Sequence, residues 1–96
     1  MSELLNQAVE ILNAKFDGAG FNGTAKFVFK GEGSIVVDEN GARISDDEAD
    51  VTLSAKADTF QSILEGNTNP TAAFMTGRLS VDGSMGMAMK LASLIA

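Results

Sequence analysis

Residues 85–96 constrain this chain more than any other stretch. They read as a helix opened by Ser84, in which only Gly86, Lys90 and Ser93 interrupt an otherwise apolar run. Those three positions are spaced by four and three residues, so they share one narrow stripe. A surface helix of a globular protein shows an apolar stripe a little over ~100° wide. This one is apolar around most of its circumference, so it needs a second apolar neighbour besides a sheet. That neighbour is another helix, a partner chain or a ligand. Met85, Met87 and Met89 are three of the five methionines, and Met75 lies shortly before them. Methionine conforms to irregular or exchangeable apolar surfaces, and it also fills cores.

Composition narrows the possibilities. A length of 96 residues fits one small domain covering the whole chain. An apolar share of 45% is enough to close a core, which argues against disorder. There is no Cys and no His, which removes disulfides, thiolate chemistry and the commonest general base and metal ligand. The net charge of −6 makes nucleic acid an unsuitable partner, because phosphate neutralisation supplies most of that affinity. The start of the chain lacks the basic and apolar regions of a signal peptide, and residues 85–96 are too short to span a bilayer. A cytoplasmic location is the expectation.

Periodicity gives the layout. Leu5, Ala8, Val9, Leu12 and Phe16 recur at helical spacing after a Ser2 cap, and Asp17 with residues 18–20 ends that helix. Ala25, Phe27 and Phe29 alternate with Lys26, Val28 and Lys30, and Val51, Leu53, Ala55 and Ala57 alternate with polar residues. Both patterns predict strands with one apolar face. Residues 34–38 are a short apolar strand. Asn40-Gly41 signals a hairpin of type I′ into a strand beginning at Arg43. Asp58, with Gln61 three residues on, reads as the cap of a short helix that stops at Gly66. Asn69-Pro70 opens another, Gly77 closes it, and residues 78–82 form a last strand with Leu79 and Val81 on one side. The expected class is α+β: a mainly antiparallel sheet with helices on one face.

No residue set points to catalysis. Asp46-Asp47-Glu48 with Asp50 lacks the spacing of a calcium loop and reads as a solvated turn. The segments 31–33 and 83–86 lack the length and the lysine of a phosphate loop. A serine triad has no base here, and Lys90 reads as a side chain on the wet stripe. Nothing in the sequence indicates a cofactor or a metal.

One stretch resembles a known family. Gly66, Asn69-Pro70, Ala73-Phe74, Gly77-Arg78-Leu79, Gly83 and the run Met85-Gly86-Met87-Ala88-Met89-Lys90-Leu91 follow the pattern of the sterol carrier protein type-2 (SCP-2) family. Asp50-Val51-Thr52-Leu53 is similar to one of its strands, and the resemblance extends from Phe21 onward. It implies a five-stranded sheet covered on one face by helices, with a hydrophobic tunnel between them. It also implies a non-catalytic carrier of fatty acyl chains, acyl-CoA, phospholipid or sterol, which moves them between membranes or presents them to acyl-utilising enzymes. By position, Met85, Met89, Leu91, Ala92, Leu94 and Ile95 would line the tunnel, with Phe60, Leu64, Phe74 and Met75 opposite. Longer members carry a C-terminal tail with a peroxisomal signal. This chain ends at Ala96, so a peroxisomal role is not implied, and its compact front end makes a shorter or more open tunnel the expectation. The alternative is an interaction module that uses its apolar C-terminal helix against a partner or a second copy. The expected state is a monomer or weak homodimer.

Overall fold

The computed structural model describes residues 3–17 and 23–95. Helix α1 (Glu3–Phe16) precedes strands β1 (Ala25–Lys30), β2 (Gly33–Asp38), β3 (Gly41–Ile44) and β4 (Val51–Lys56). Helices α2 (Ala57–Leu64) and α3 (Pro70–Met75), strand β5 (Leu79–Gly83) and helix α4 (Met85–Ile95) complete the chain. This is the order the periodicity predicts. Ser2, residues 18–20 and Phe21 lie outside the described residues.

The strands form one sheet in the order β3-β2-β1-β4-β5. Every neighbouring pair is antiparallel except β1 and β4, which are parallel. Ala25, Phe27 and Phe29 lie level with Val51, Leu53 and Ala55, so both alternating segments turn their apolar sets to the same side. The buried core forms there, between the sheet and helices α1, α2 and α4. At its centre Phe60 of α2 is fully buried, edge-on to Phe27 at 5.8 Å and tilted over Phe29 at 4.5 Å.

The parallel pairing requires the chain to pass β2 and β1 between β3 and β4, and residues 45–50 form that strap. Outward-facing side chains hold it down. Ser34 Oγ donates to the Ser45 carbonyl at 2.7 Å, and Lys26 Nζ sits 2.6 Å from Asp46 Oδ1. Thr24 and Asp50 exchange bonds at the far end: the Thr24 N–H reaches Asp50 Oδ2, and the Asp50 N–H reaches Thr24 Oγ1. The Lys26 ammonium, by hydrogen bond and charge, holds the Asp46 carboxyl below the usual carboxylate range. The acidic run is therefore a tied strap across the outer face of the sheet.

Two local expectations are corrected. Asn40-Gly41 is not a type I′ turn, because among the described residues no non-glycine residue has positive φ. The two-residue loop is Glu39-Asn40, closed by the Asp38↔Gly41 pair. Asp38 sets it one residue early, accepting the Asn40 N–H at 2.9 Å while pairing with Arg43 at 2.7 Å. Nor does Asp58 cap α2. Strand β4 runs directly into the helix, Lys56 holds the extended cap position without a side-chain bond, and Asp58 lies inside the first turn. There its charge still suits the positive helix end.

Both sheet edges are covered in part. Asn13 of α1 uses its carboxamide as a neighbouring strand would: Oδ1 accepts the Ala42 N–H at 2.8 Å, and Nδ2 donates to the Ala42 carbonyl at 3.3 Å. At the other edge, α3 and α4 pack against β5.

Candidate apolar cleft

The segment that builds the cleft is set by local capping. Asn69 Oδ1 accepts the N–H groups of Thr71 at 2.8 Å and Ala72 at 3.2 Å, and Pro70 occupies the first turn. Gly77, at φ +81°, ends α3, with its N–H on the Phe74 carbonyl and the Arg78 N–H on the Ala73 carbonyl. That pair of bonds is a Schellman motif, which requires a left-handed residue at this position. Ser84 Oγ accepts the Met87 N–H at 3.3 Å and opens α4. Asn69→Ala is expected to lower stability by about 1 kcal/mol. The melting temperature, followed by far-UV circular dichroism, should fall by roughly 4–8 °C; an unchanged melt would show that the cap is dispensable.

Between these elements lies a cleft. Leu53 of β4 with Leu79 and Val81 of β5 form its floor, Pro70, Thr71 and Phe74 of α3 one wall, and Met85, Ala88, Met89 and Ala92 of α4 the other. Among the described residues no ionisable side chain lines it, and Thr71 is the one polar residue there. Such a lining can bury hydrocarbon but supplies no acid, base or nucleophile. The cavity measures about 30 Å³, room for a water molecule or two. The tunnel the sequence resemblance implies is thus a narrow cleft in this conformation.

The excess apolarity of α4 is divided among three neighbours. Ala88, Leu91 and Ile95 face the core, and Met87 and Leu94 are half-buried against it. Met85, Ala88, Met89 and Ala92, spaced i, i+3, i+4 and i+7, face the cleft. Gly86, Lys90 and Ser93 are exposed, as their shared stripe predicts. The second apolar neighbour is partly another helix, since α1 packs on α4 as well.

Of the residues carried over by resemblance, the structure brings Phe74, Met85, Met89 and Ala92 together in the cleft. Phe60, Leu64, Leu91 and Ile95 sit in the core. Met75 projects outward and Leu94 packs at the core margin. Leu53, Pro70, Thr71, Leu79, Val81 and Ala88 complete the lining. Leu53, Leu79 and Val81 carried a signal, as inward members of alternating strands. Ala88 carried one too, by its three-residue spacing from Met85.

Comparison with known proteins decides the family. The model of the SCP-2 sterol transfer family matches residues 3–96. The chain belongs to that family. Sterol carrier protein 2 of Rattus norvegicus is 39% identical over 67 residues, covering 70% of this chain and 11% of that protein. A hydroxysteroid dehydrogenase-like protein 2 of Bos taurus is 43% identical over 49 residues, covering 51% of this chain and 12% of that protein. The segments this SCP-2 chain matches thus span only 11% and 12% of the length of these curated relatives. A sterol carrier protein 2 of Aedes aegypti, solved in complex with the C16 fatty acid palmitate, superposes with a TM-score of 0.80 at 22% identity. The match covers 100% of this chain and 97% of that one, and at that identity it establishes a shared fold. Among the described residues no helix is long and apolar enough to cross a membrane.

Proposed function

We propose that this chain is a non-catalytic carrier that binds a flexible acyl chain in the cleft between α3, α4 and the β4–β5 floor. The observation that carries the reading is the lining itself: apolar on three sides, without an ionisable group, and walled by Met85 and Met89. Family membership and the palmitate held by the Aedes aegypti protein support it. Opening the cleft requires α3 and α4 to part. Methionine side chains suit that motion, because their three rotatable bonds let them repack against a chain of varying shape. A flexible acyl chain fits such a wall better than a rigid ring system.

Burial of methylenes would drive binding, at about 0.8 kcal/mol each. Ten of them give roughly 8 kcal/mol before the entropic costs of association and of parting the helices. Micromolar affinity corresponds to about 8 kcal/mol net, so useful affinity needs more than ten. The expected result is an affinity for saturated fatty acids that rises up to about fourfold per added methylene until the cleft is filled. Displacement of a fluorescent fatty acid, with native mass spectrometry for stoichiometry, measures it. Failure to retain any acyl lipid, or an affinity indifferent to chain length, would overturn the reading.

A further inference from the structure

Five large apolar side chains are exposed among the described residues, and three of them, Phe74, Met85 and Met89, line the same cleft. Met75 is 79% exposed, Met89 58%, Met85 48% and Phe74 41%. Phe74, Met85 and Met89 also form the rim of the cleft, and Met75 adjoins Phe74 on α3. Charge is segregated in the same way. Residues 69–96 carry two basic side chains, Arg78 and Lys90, and one acidic, Asp82. The remaining residues, 1–68, carry five basic and twelve acidic. The cleft face thus belongs to the one part of the chain without an acidic excess. The exposed side of α1 offers nothing comparable, since it presents Glu3, Asn6, Gln7, Glu10 and Asn13.

We propose that α3 and the first turns of α4 form a bilayer-docking face, which inserts Met75, Phe74, Met85 and Met89 shallowly among lipid headgroups and sets the cleft mouth against the acyl region. The inference rests on the acyl-carrier reading and names the surface through which cargo enters. A chain that passes from bilayer to cleft across this contact never exposes its methylenes to water. Flexible thioethers accommodate disordered lipid tails as readily as a bound chain. The acidic excess of residues 1–68 favours keeping that part of the chain in water. A second copy is a poorer occupant. A stable dimer buries about 800 Å² per partner over some 20–30 residues, whereas this patch is four side chains wide. Shallow, reversible insertion into an interface needs only a few apolar groups.

The chain has no Trp and no Tyr, so one introduced indole reports its own surroundings. Met75→Trp, in the full chain, is mixed with phosphatidylcholine vesicles with and without brominated acyl chains. Its emission is expected to shift to the blue and to be quenched by the brominated lipid. Asp47→Trp on the strap and Asn6→Trp on α1 are expected to emit as in buffer. Met75→Asp, followed by vesicle sedimentation, should weaken partitioning by about tenfold or more. The proposal is overturned if Met75→Trp stays unquenched, or if Asn6→Trp or Asp47→Trp is the variant quenched. A blue shift that grows with protein concentration in the absence of vesicles overturns it in favour of self-association. Fatty-acid binding by the unmodified chain, measured without vesicles, separates the two readings. Binding without docking leaves the carrier and removes the face; docking without binding does the reverse.

Discussion

Phe60→Ala is expected to cost about 3–5 kcal/mol of stability, the range for removing a fully buried phenylalanine. A chain of this length has roughly 5–14 kcal/mol to lose, at about 0.05–0.15 kcal/mol per residue. The melting temperature should fall by at least ~12 °C, since each kcal/mol is worth about 4–8 °C in a domain of this size. The reason is geometric. Phe60, buried with Ile63 and Leu64 on the inner side of the eight-residue helix α2, tilts over Phe29 at 4.5 Å and meets Phe27 edge-on at 5.8 Å. Its removal leaves a cavity under the strand pair that joins the two halves of the sheet. Phe60→Leu should restore most of the loss, because it keeps apolar volume and forfeits the ring contacts. Thermal and urea unfolding followed by circular dichroism measure both variants. A drop of only a few degrees, with acyl-lipid binding lost instead, would move Phe60 out of the core and back into the lining that the family resemblance implies.

The position of Phe60 shows where sequence reading stops. That Phe60, Ile63 and Leu64 share the buried side of a helix was legible, because helical spacing fixes which residues share a face. Which body that face meets was not, because spacing carries no address. The same holds for the strands. Alternation in residues 25–30 and 51–56 fixed the inward sets, and Asn69-Pro70 and Gly77 fixed both ends of α3. The parallel pairing of β1 with β4 was hidden. It depends on the 45–50 strap crossing two strands, and the bonds that hold the strap, from Lys26, Ser34 and Thr24, span 11 to 26 residues of sequence. Asp58 and Asn40 misled for a related reason. Each has the right chemistry for its motif, but a tertiary constraint displaced the element: by two residues where a strand fuses directly to a helix at Lys56, and by one where a carboxylate bridge sits at Asp38.

The cleft was half legible. Apolarity around most of α4 demanded another neighbour, and the structure supplies α1 on one side and the cleft on another. When a helix is apolar on three sides, composition no longer tells the core stripe from the lining stripe. Leu91 and Ala92 are adjacent and chemically alike, yet the first is fully buried under the sheet and the second opens on the cleft.

That difference makes position 92 the place to close the cleft without unfolding the chain. Ala92 is half-buried, and with Ala88 it supplies the gap between the methionines on the α4 wall. In Ala92→Phe a benzyl group projects into that gap toward Phe74 and Val81. It occupies room that roughly four methylenes of a bound chain would need, worth about 3 kcal/mol. Affinity for a long-chain fatty acid should therefore fall by about a hundredfold. Overpacking a closed core costs about 1–3 kcal/mol, and at this half-buried position the low end of that range is expected, so the melting temperature should stay within about 8 °C of the parent. Ser93→Phe places the same ring one residue on, on the exposed stripe, and should leave fatty-acid affinity unchanged. Displacement titrations on the three proteins, run beside thermal melts, give the comparison. If Ala92→Phe binds as tightly as the parent, the acyl chain lies elsewhere. If both substitutions weaken binding equally, the effect comes from disturbing α4 as a whole and the cleft loses its claim to be the site.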